Sequence, residues 1–144
     1  MALKDKKVSG SAQVDKDLAG AIRRRLQNNF LPCVSAFEVA EELGLPRTEI
    51  GRAADALRIH LTQCQLGLFG YPGKSKFWET TPAAEQIRHG ALEEAVLATR
   101  DRSNVISCAA LLAIAERFGL APTQAGFAAD RLGIRIKHCQ LGAF

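Results

Sequence analysis

Apolar residues recur along the first third of this chain at the spacing of amphipathic helices. Leu18, Ile22 and Leu26 lie four residues apart within residues 15–29, which predicts one helix with a single apolar stripe. Residues 30–61 have the apolar pattern of two further helices joined by a short turn, with glycine at position 44 and proline at 46. The pattern therefore predicts a three-helix unit near the start of the chain.

The pattern changes after the third predicted helix. Residues 59–70 (IHLTQCQLGLFG) alternate as a strand does, residues 71–75 (YPGKS) have the composition of a turn, and residues 76–81 (KFWETT) are typical of a second strand. This order predicts a β-hairpin. The residues from Pro82 to about position 102 then predict a connecting helix, or a pair of helices that meet at Gly90.

The second half of the chain repeats the first. Cys33–Phe69 matches Cys108–Phe144 without a gap, and 17 of these 37 positions are identical. Both copies end on the same motif, CQLG-x-F, at residues 64–69 and 139–144. The second copy has no counterpart of the hairpin's return strand, so its last strand is expected to pair with the strand around Cys64 or with another subunit.

The spacing Ala40-x3-Gly44-x5-Ile50 resembles the signature of the helix-turn-helix: a small residue at the helix crossing, glycine in the turn and a branched apolar anchor. The second copy has Ala115, Gly119 and Ala125 at the same spacing. With the predicted hairpin as a wing, the chain resembles the tandem winged helix-turn-helix DNA-binding superfamily. The resemblance implies a mainly α fold with a small β-hairpin and two repeats, of which the second lacks its wing return strand.

This organisation divides the chain into three parts. Residues 1–14 are polar and are expected to be flexible, residues 15–81 form repeat 1, and residues 82–144 form the connecting helix and repeat 2.

The same resemblance implies that the second helix of repeat 1 binds double-stranded DNA and that the chain is a transcriptional regulator. Outward residues near the start of that helix are expected to approach base edges and phosphates, with further basic residues gripping the backbone. The predicted DNA-binding residues are Arg47, Thr48, Glu49, Arg52, Arg58, Lys74 and Lys76. The alternative for each of them is a solvated charged face.

Repeat 2 has lost the basic residues of the predicted recognition helix. Pro122, Gln124, Phe127 and Gly133 stand where repeat 1 has Arg47, Glu49, Arg52 and Arg58. An outward phenylalanine is typical of burial against a neighbour, so Phe127 and Arg131 are predicted to mediate packing, dimerisation or contact with a protein partner. The alternative function is a non-enzymatic adaptor that binds proteins through its tandem winged helices, and RNA is the third candidate partner.

Glycine occurs at the same place within the second helix of each repeat. Gly51 and Gly126 each cost about 1 kcal/mol of helix stability relative to alanine. Their retention in both copies suggests that another backbone approaches closely there. Shared descent of the two copies is the competing explanation.

The four cysteines form two equivalent pairs. Cys33 and Cys108 precede the first helix of each helix-turn-helix, and Cys64 and Cys139 lie in the motif. Buried thiol packing is favoured over a metal site or a redox role, because the chain has no C-x-x-C pair.

Composition and charge narrow the classes of protein to which the chain can belong. The chain is 47% hydrophobic and 24% charged, which is typical of a globular protein, and its net charge of +4 is compatible with a polyanionic partner without requiring one. Neither a signal peptide nor a membrane span is found, so a cytoplasmic protein is expected. The sequence has no catalytic triad spacing and no phosphate-binding glycine loop, so we expect neither an enzyme nor a cofactor.

Overall fold

The computed structural model of the protein describes residues 14–72, 75–80 and 88–144. Helices dominate these residues, which confirms the predicted mainly α fold. The helices are α1 (Lys16–Arg23), α2 (Cys33–Leu43), α3 (Arg47–Ala56), α4 (Phe77–Thr80), α5 (Gly90–Thr99), α6 (Cys108–Arg117) and α7 (Pro122–Arg131). The strands are β1 (Phe30–Pro32), β2 (His60–Thr62), β3 (Val105–Ser107) and β4 (Arg135–Lys137). Residues 1–13 of the predicted flexible N terminus, and Lys74 of the predicted DNA-binding set, lie outside the described residues.

The chain forms two compact units that do not coincide with the two sequence repeats. Unit 1 takes its described residues from 14–62 and from Gln140–Ala143, while unit 2 consists of Gln63–Cys139 and Phe144. Unit 1 therefore contains α1 to α3, and unit 2 contains α4 to α7. Unit 2 also contains the CQLG-x-F motif of repeat 1, and unit 1 contains Gln140–Ala143 from the motif of repeat 2.

The helix-turn-helix of unit 1 has the predicted turn. Helix α2 ends at Gly44, whose φ of 65° and ψ of 34° place it in the left-handed region that glycine adopts at little cost. Pro46 then caps the start of α3 with extended backbone. Ala40 is buried and Ile50 is fully buried, as expected for a small crossing residue and an apolar anchor. The two helices and the left-handed glycine turn predicted from the spacing are therefore present in this unit.

The predicted β-hairpin is wrong in the described residues. Strand β2 is only three residues long and pairs in parallel with β1, in the register Phe30↔His60. The predicted return strand contains the short helix α4 instead. The chain cannot continue as a strand after β2 because Gln63, Gly67 and Gly70 all have positive φ, a conformation incompatible with extended backbone.

The last strand of repeat 2 also differs from its prediction. Strand β4 pairs in parallel with β3, in the register Ile106↔Ile136, and both strands belong to unit 2. The expected pairing with the strand around Cys64 is therefore wrong, while pairing with another subunit stays a prediction. The partner strand was missed because β1 and β3 are three-residue strands placed directly before a helix, where helical periodicity hides them.

The CQLG-x-F motif forms a closed turn in both copies. The Cys64 N–H donates to the Phe69 carbonyl at 3.1 Å, and the Cys139 N–H donates to the Phe144 carbonyl at 3.4 Å. Within each turn the glycine has a left-handed backbone, with φ of 85° at Gly67 and 80° at Gly142. The repeated motif therefore encodes one local structure rather than a strand.

The core of unit 2 includes the motif of repeat 1. Leu66 is fully buried among apolar side chains of α5 and α6, of which Leu92 and Leu111 are the largest buried members. Cys64 lies in the same core. Residues of repeat 1 thus contribute directly to the stability of unit 2.

Across the described ranges, no helix has both the length and the apolar character needed to cross a membrane.

Candidate nucleic-acid interface

Helix α3 of unit 1 has one buried face and one face open to solvent. Ile50, Ala53 and Ala54 are buried, whereas Thr48 and Arg52 are exposed. This is the orientation predicted for a recognition helix, since the apolar face packs on the other helices of the unit. The exposed side chains of Thr48 and Arg52 can donate to an acceptor-rich ligand, whereas the exposed carboxylate of Asp55 can only accept.

Arg52 carries an internal partner on the same helix. Its Nη1 lies 2.6 Å from Oε1 of Glu49, three residues earlier, and its side chain is 69% exposed. An exposed ion pair of this kind stabilises a helix by only about 0–1 kcal/mol. A phosphate or a guanine edge can therefore replace Glu49 as the partner of Arg52 at little cost.

Arg47 contacts residues outside α3. Its guanidinium carbon lies 4.0 Å from the centroid of the Phe37 ring, and its Nη1 donates to Oε1 of Gln140 at 2.6 Å. The cation–π contact and the hydrogen bond fix the side chain against α2 and against the segment from repeat 2. Arg47 is still exposed to solvent, so it is an oriented surface cation rather than a mobile one.

Two further predicted DNA-binding residues, Arg58 and Lys76, lie outside helix α3. Arg58 is exposed just beyond α3, where its own φ is 59°. Lys76 belongs to unit 2, and its Nζ pairs with Oδ1 of Asp130 at 3.0 Å. The predicted role of Lys76 depended on the hairpin that the described residues do not form.

The charge of unit 1 is balanced. Residues 14–62 contain seven Lys and Arg residues and seven Asp and Glu residues, so their formal net charge is zero. Attraction of a polyanion to this unit must therefore come from individual arginines at the surface of α3 and not from a general positive field.

Comparisons of the chain with protein-family models, with curated proteins and with solved structures give no match. The functional inference accordingly depends on the residues and contacts of the protein itself.

The corresponding helix of unit 2, α7, has its equivalent face covered. The Phe127 ring centroid lies 5.6 Å from that of Trp78, and Phe127 is half-buried. The Arg131 guanidinium carbon is 6.0 Å from the centroid of the Phe127 ring. Phe127 thus packs on an aromatic residue of its own chain, which is the packing alternative of its predicted role, while its dimerisation and partner-binding alternatives stay predictions.

The two helix glycines mark the sites where the motifs dock. A Cβ built on Gly51 would lie 2.7 Å from the carbonyl carbon of Leu141, and one built on Gly126 would lie 2.9 Å from that of Leu66. Real Cβ atoms do not approach so closely, so only glycine fits at either place. The predicted approach of another backbone is confirmed. What the sequence alone did not indicate is that the approaching backbone is the other repeat's CQLG-x-F motif.

The four thiols differ in their burial. Cys33, Cys64 and Cys108 are buried, and Cys139 is half-buried. No cluster of three or more potential metal ligands occurs among the residues that the structure describes. Burial raises the pKa of the Cys64 thiol, an effect only partly opposed by hydrogen bonds to the backbone of Leu68 and Leu66.

This packing predicts an order of thiol reactivity. Since the thiolate is the nucleophile, the raised pKa and burial of Cys64 should make its alkylation by iodoacetamide slow at neutral pH, and faster as pH rises toward that pKa. Cys139, which is half-buried, should be alkylated before Cys64. Peptide mass spectrometry of timed samples measures this order. Labelling of Cys64 before Cys139 in the folded protein would contradict the packing role.

Proposed function

We propose that the protein binds double-stranded DNA through the exposed face of α3 and acts as a cytoplasmic transcriptional regulator. The observation that carries the proposal is the α2–turn–α3 geometry of unit 1, which leaves Thr48 and Arg52 on the open face of the second helix. A helix of this kind fits the major groove with the residues near its N terminus closest to the base edges.

The roles of the side chains follow from their chemistry. Arg52 can donate bidentately to guanine O6 and N7, and Glu49, once released, can accept from the amino group of cytosine. Thr48 is suited to a phosphate oxygen. Because Pro46 provides no side-chain cap, the N–H groups of Arg47 and Thr48 are also available to a phosphate, whereas the Glu49 N–H donates to the Pro46 carbonyl at 3.0 Å.

The balanced charge of unit 1 favours recognition of a preferred sequence over general affinity for DNA. If Arg47, Arg52 and Arg58 are the cations that contact phosphate or displace counterions, log K against log salt should have a slope of about −3. A strongly basic DNA-binding protein would have a steeper slope.

The test is selection from a randomised duplex library with the full chain, followed by fluorescence anisotropy on the selected duplex. Arg52→Ala should weaken binding by about 1–3 kcal/mol and relax the preference at one base pair, because a bidentate base contact is lost. Arg131→Ala is the matched control, since it removes an exposed arginine from the covered helix α7 of unit 2. Failure to enrich any duplex at low salt, or equal affinities of Arg52→Ala and the unaltered protein, would overturn the proposal.

A protein-binding adaptor is the second candidate, and exposed apolar residues of unit 1 favour it. Phe30 and Val34 are 43% and 48% exposed, and the Phe30 ring lies 6.2 Å from that of His60. In this case Phe30→Asp should abolish partner binding while Arg52→Ala leaves it intact. A substitution of Phe127 is less suitable for this test, because the Phe127 ring packs on Trp78 of the same chain.

A further inference from the structure

The same docking contact is made once in each unit. In unit 1 the Leu141 backbone lies against Gly51 of α3, and in unit 2 the Leu66 backbone lies against Gly126 of α7. Both leucines are buried. Two independent copies of one contact indicate a specific site that recognises a CQLG turn, and in both copies the turn comes from the other sequence repeat.

The chain enters each docked turn through a strained residue. Gln63 and His138 occupy equivalent positions immediately before the motif, and their φ values are 47° and 61°. A left-handed backbone at a residue other than glycine costs about 1–3 kcal/mol when the surroundings hold it there. Release of the turn therefore relieves strain at the hinge, which offsets part of the cost of undocking.

The docked segment of unit 1 is short. It consists of Gln140–Ala143, which we call the tail, and its contacts include the Leu141 backbone on Gly51 and the Gln140 hydrogen bond with Arg47. A segment of four residues with few buried side chains opens more readily than a helix of the core. A second copy of the chain carries an identical tail that can make identical contacts.

The surface of α3 at Gly51, against which the Leu141 backbone lies, is called the notch below. We propose that the notch is an exchangeable binding site for the tail, and that in a tail-swapped dimer it holds the tail of a second copy. The contacts are the same in the closed monomer and in the dimer. The two forms therefore differ only in hinge strain at His138 and in the entropy of association, so the dimer fraction should rise with protein concentration.

Complementation between two variants tests the exchange. The Gly51→Leu variant has a blocked notch and an unaltered tail. The Leu141→Asp variant has an open notch and a tail whose residue 141 can no longer be buried. Neither variant can dock its own tail. Mixed together, they should form a heterodimer of twice the monomer mass by light scattering, because the notch of one accepts the tail of the other.

In the matched control mixture, the Gly44→Ala variant takes the place of the Gly51→Leu variant. That substitution strains a left-handed turn residue but meets no atom within 4 Å, so the notch stays open and the variant docks its own tail. Its mixture with Leu141→Asp should remain monomeric. Heterodimers in both mixtures would indicate general stickiness, and monomers in both would refute the exchange.

A second measurement does not depend on destabilised variants. A synthetic peptide with the sequence of residues 137–144, titrated into the isotope-labelled full chain, should shift the backbone amide signals of Gly51 and its neighbours in a saturable way. The same peptide with Leu141→Asp should cause no shift. If both peptides leave the Gly51 amide unchanged at saturating concentration, the notch does not exchange its tail and the proposal is wrong.

Discussion

Replacing Leu66 by alanine should lower the free energy of unfolding of unit 2 by about 2–5 kcal/mol. Leu66 is fully buried in the core of this unit, where it packs with Leu92 of α5 and Leu111 of α6. The substitution removes apolar contacts and leaves a cavity that the helices fill only in part. Urea unfolding, followed by hydrogen exchange of the α5 and α6 amides, measures the effect where it is expected.

Leu68→Ala is the control for this prediction. Leu68 lies two residues further along the same segment but is only partly buried at the edge of the core, so its loss should cost clearly less. Equal effects of the two substitutions would mean that the segment lies loosely on the unit. Protection lost in α1 to α3 and retained in α5 and α6 would contradict the assignment of Leu66 to unit 2.

The helices of the protein could be predicted because their determinants are local. Ala40, Gly44 and Ile50 lie within eleven residues, and together they specify two helices and the left-handed turn between them. The closed turn of the motif is also local, but it was taken for a strand. Alternation of apolar residues does not distinguish a strand from a turn that buries Cys64 and Leu66, whereas the positive φ at Gly67 does.

The parallel strand pairs and the docking of the motifs could not be predicted in the same way. Strands β1 and β2 are separated by two helices, and each three-residue strand has too few positions to show alternation. The tendency of Pro-Gly sequences to form hairpins therefore decided the interpretation of residues 71–75. That prediction failed because positive φ values at Gln63, Gly67 and Gly70 end the extended backbone, and because Phe77–Thr80 forms helix α4.

The candidate interface also contains some contacts that are local in sequence and could be predicted, and others that are distant in sequence and could not. The exposure of Arg52 follows from the periodicity of α3, and its pairing with Glu49 is the ordinary interaction of residues three apart on a helix. The partners of Arg47 and Lys76 are distant in sequence, with Gln140 lying 93 residues after Arg47 and Asp130 lying 54 residues after Lys76. Only the folded chain reveals that these two cations already have partners.

Gly126→Ala should destabilise unit 2 by about 1–3 kcal/mol, although alanine is the better helix former. The added methyl group would meet the Leu66 carbonyl, which is backbone and cannot rotate away, so either α7 or the docked turn must move. Gly51→Ala should have the same effect on unit 1 through Leu141. Thermal unfolding of the two single variants measures both changes.

Gly90→Ala is the matched control, and it decides between close packing and shared descent as the reason for the helix glycines. Gly90 begins α5 with nothing within 4 Å of its built Cβ, so alanine there should be neutral or stabilising by up to about 1 kcal/mol. If the glycines are only inherited, Gly126→Ala will behave like Gly90→Ala. If the glycines are needed for close packing of the motif, the double variant Gly126→Ala/Leu66→Ala will lose less free energy of unfolding than the sum of the two single losses. Each substitution weakens the packing of the same docked turn, so the second one removes fewer remaining contacts.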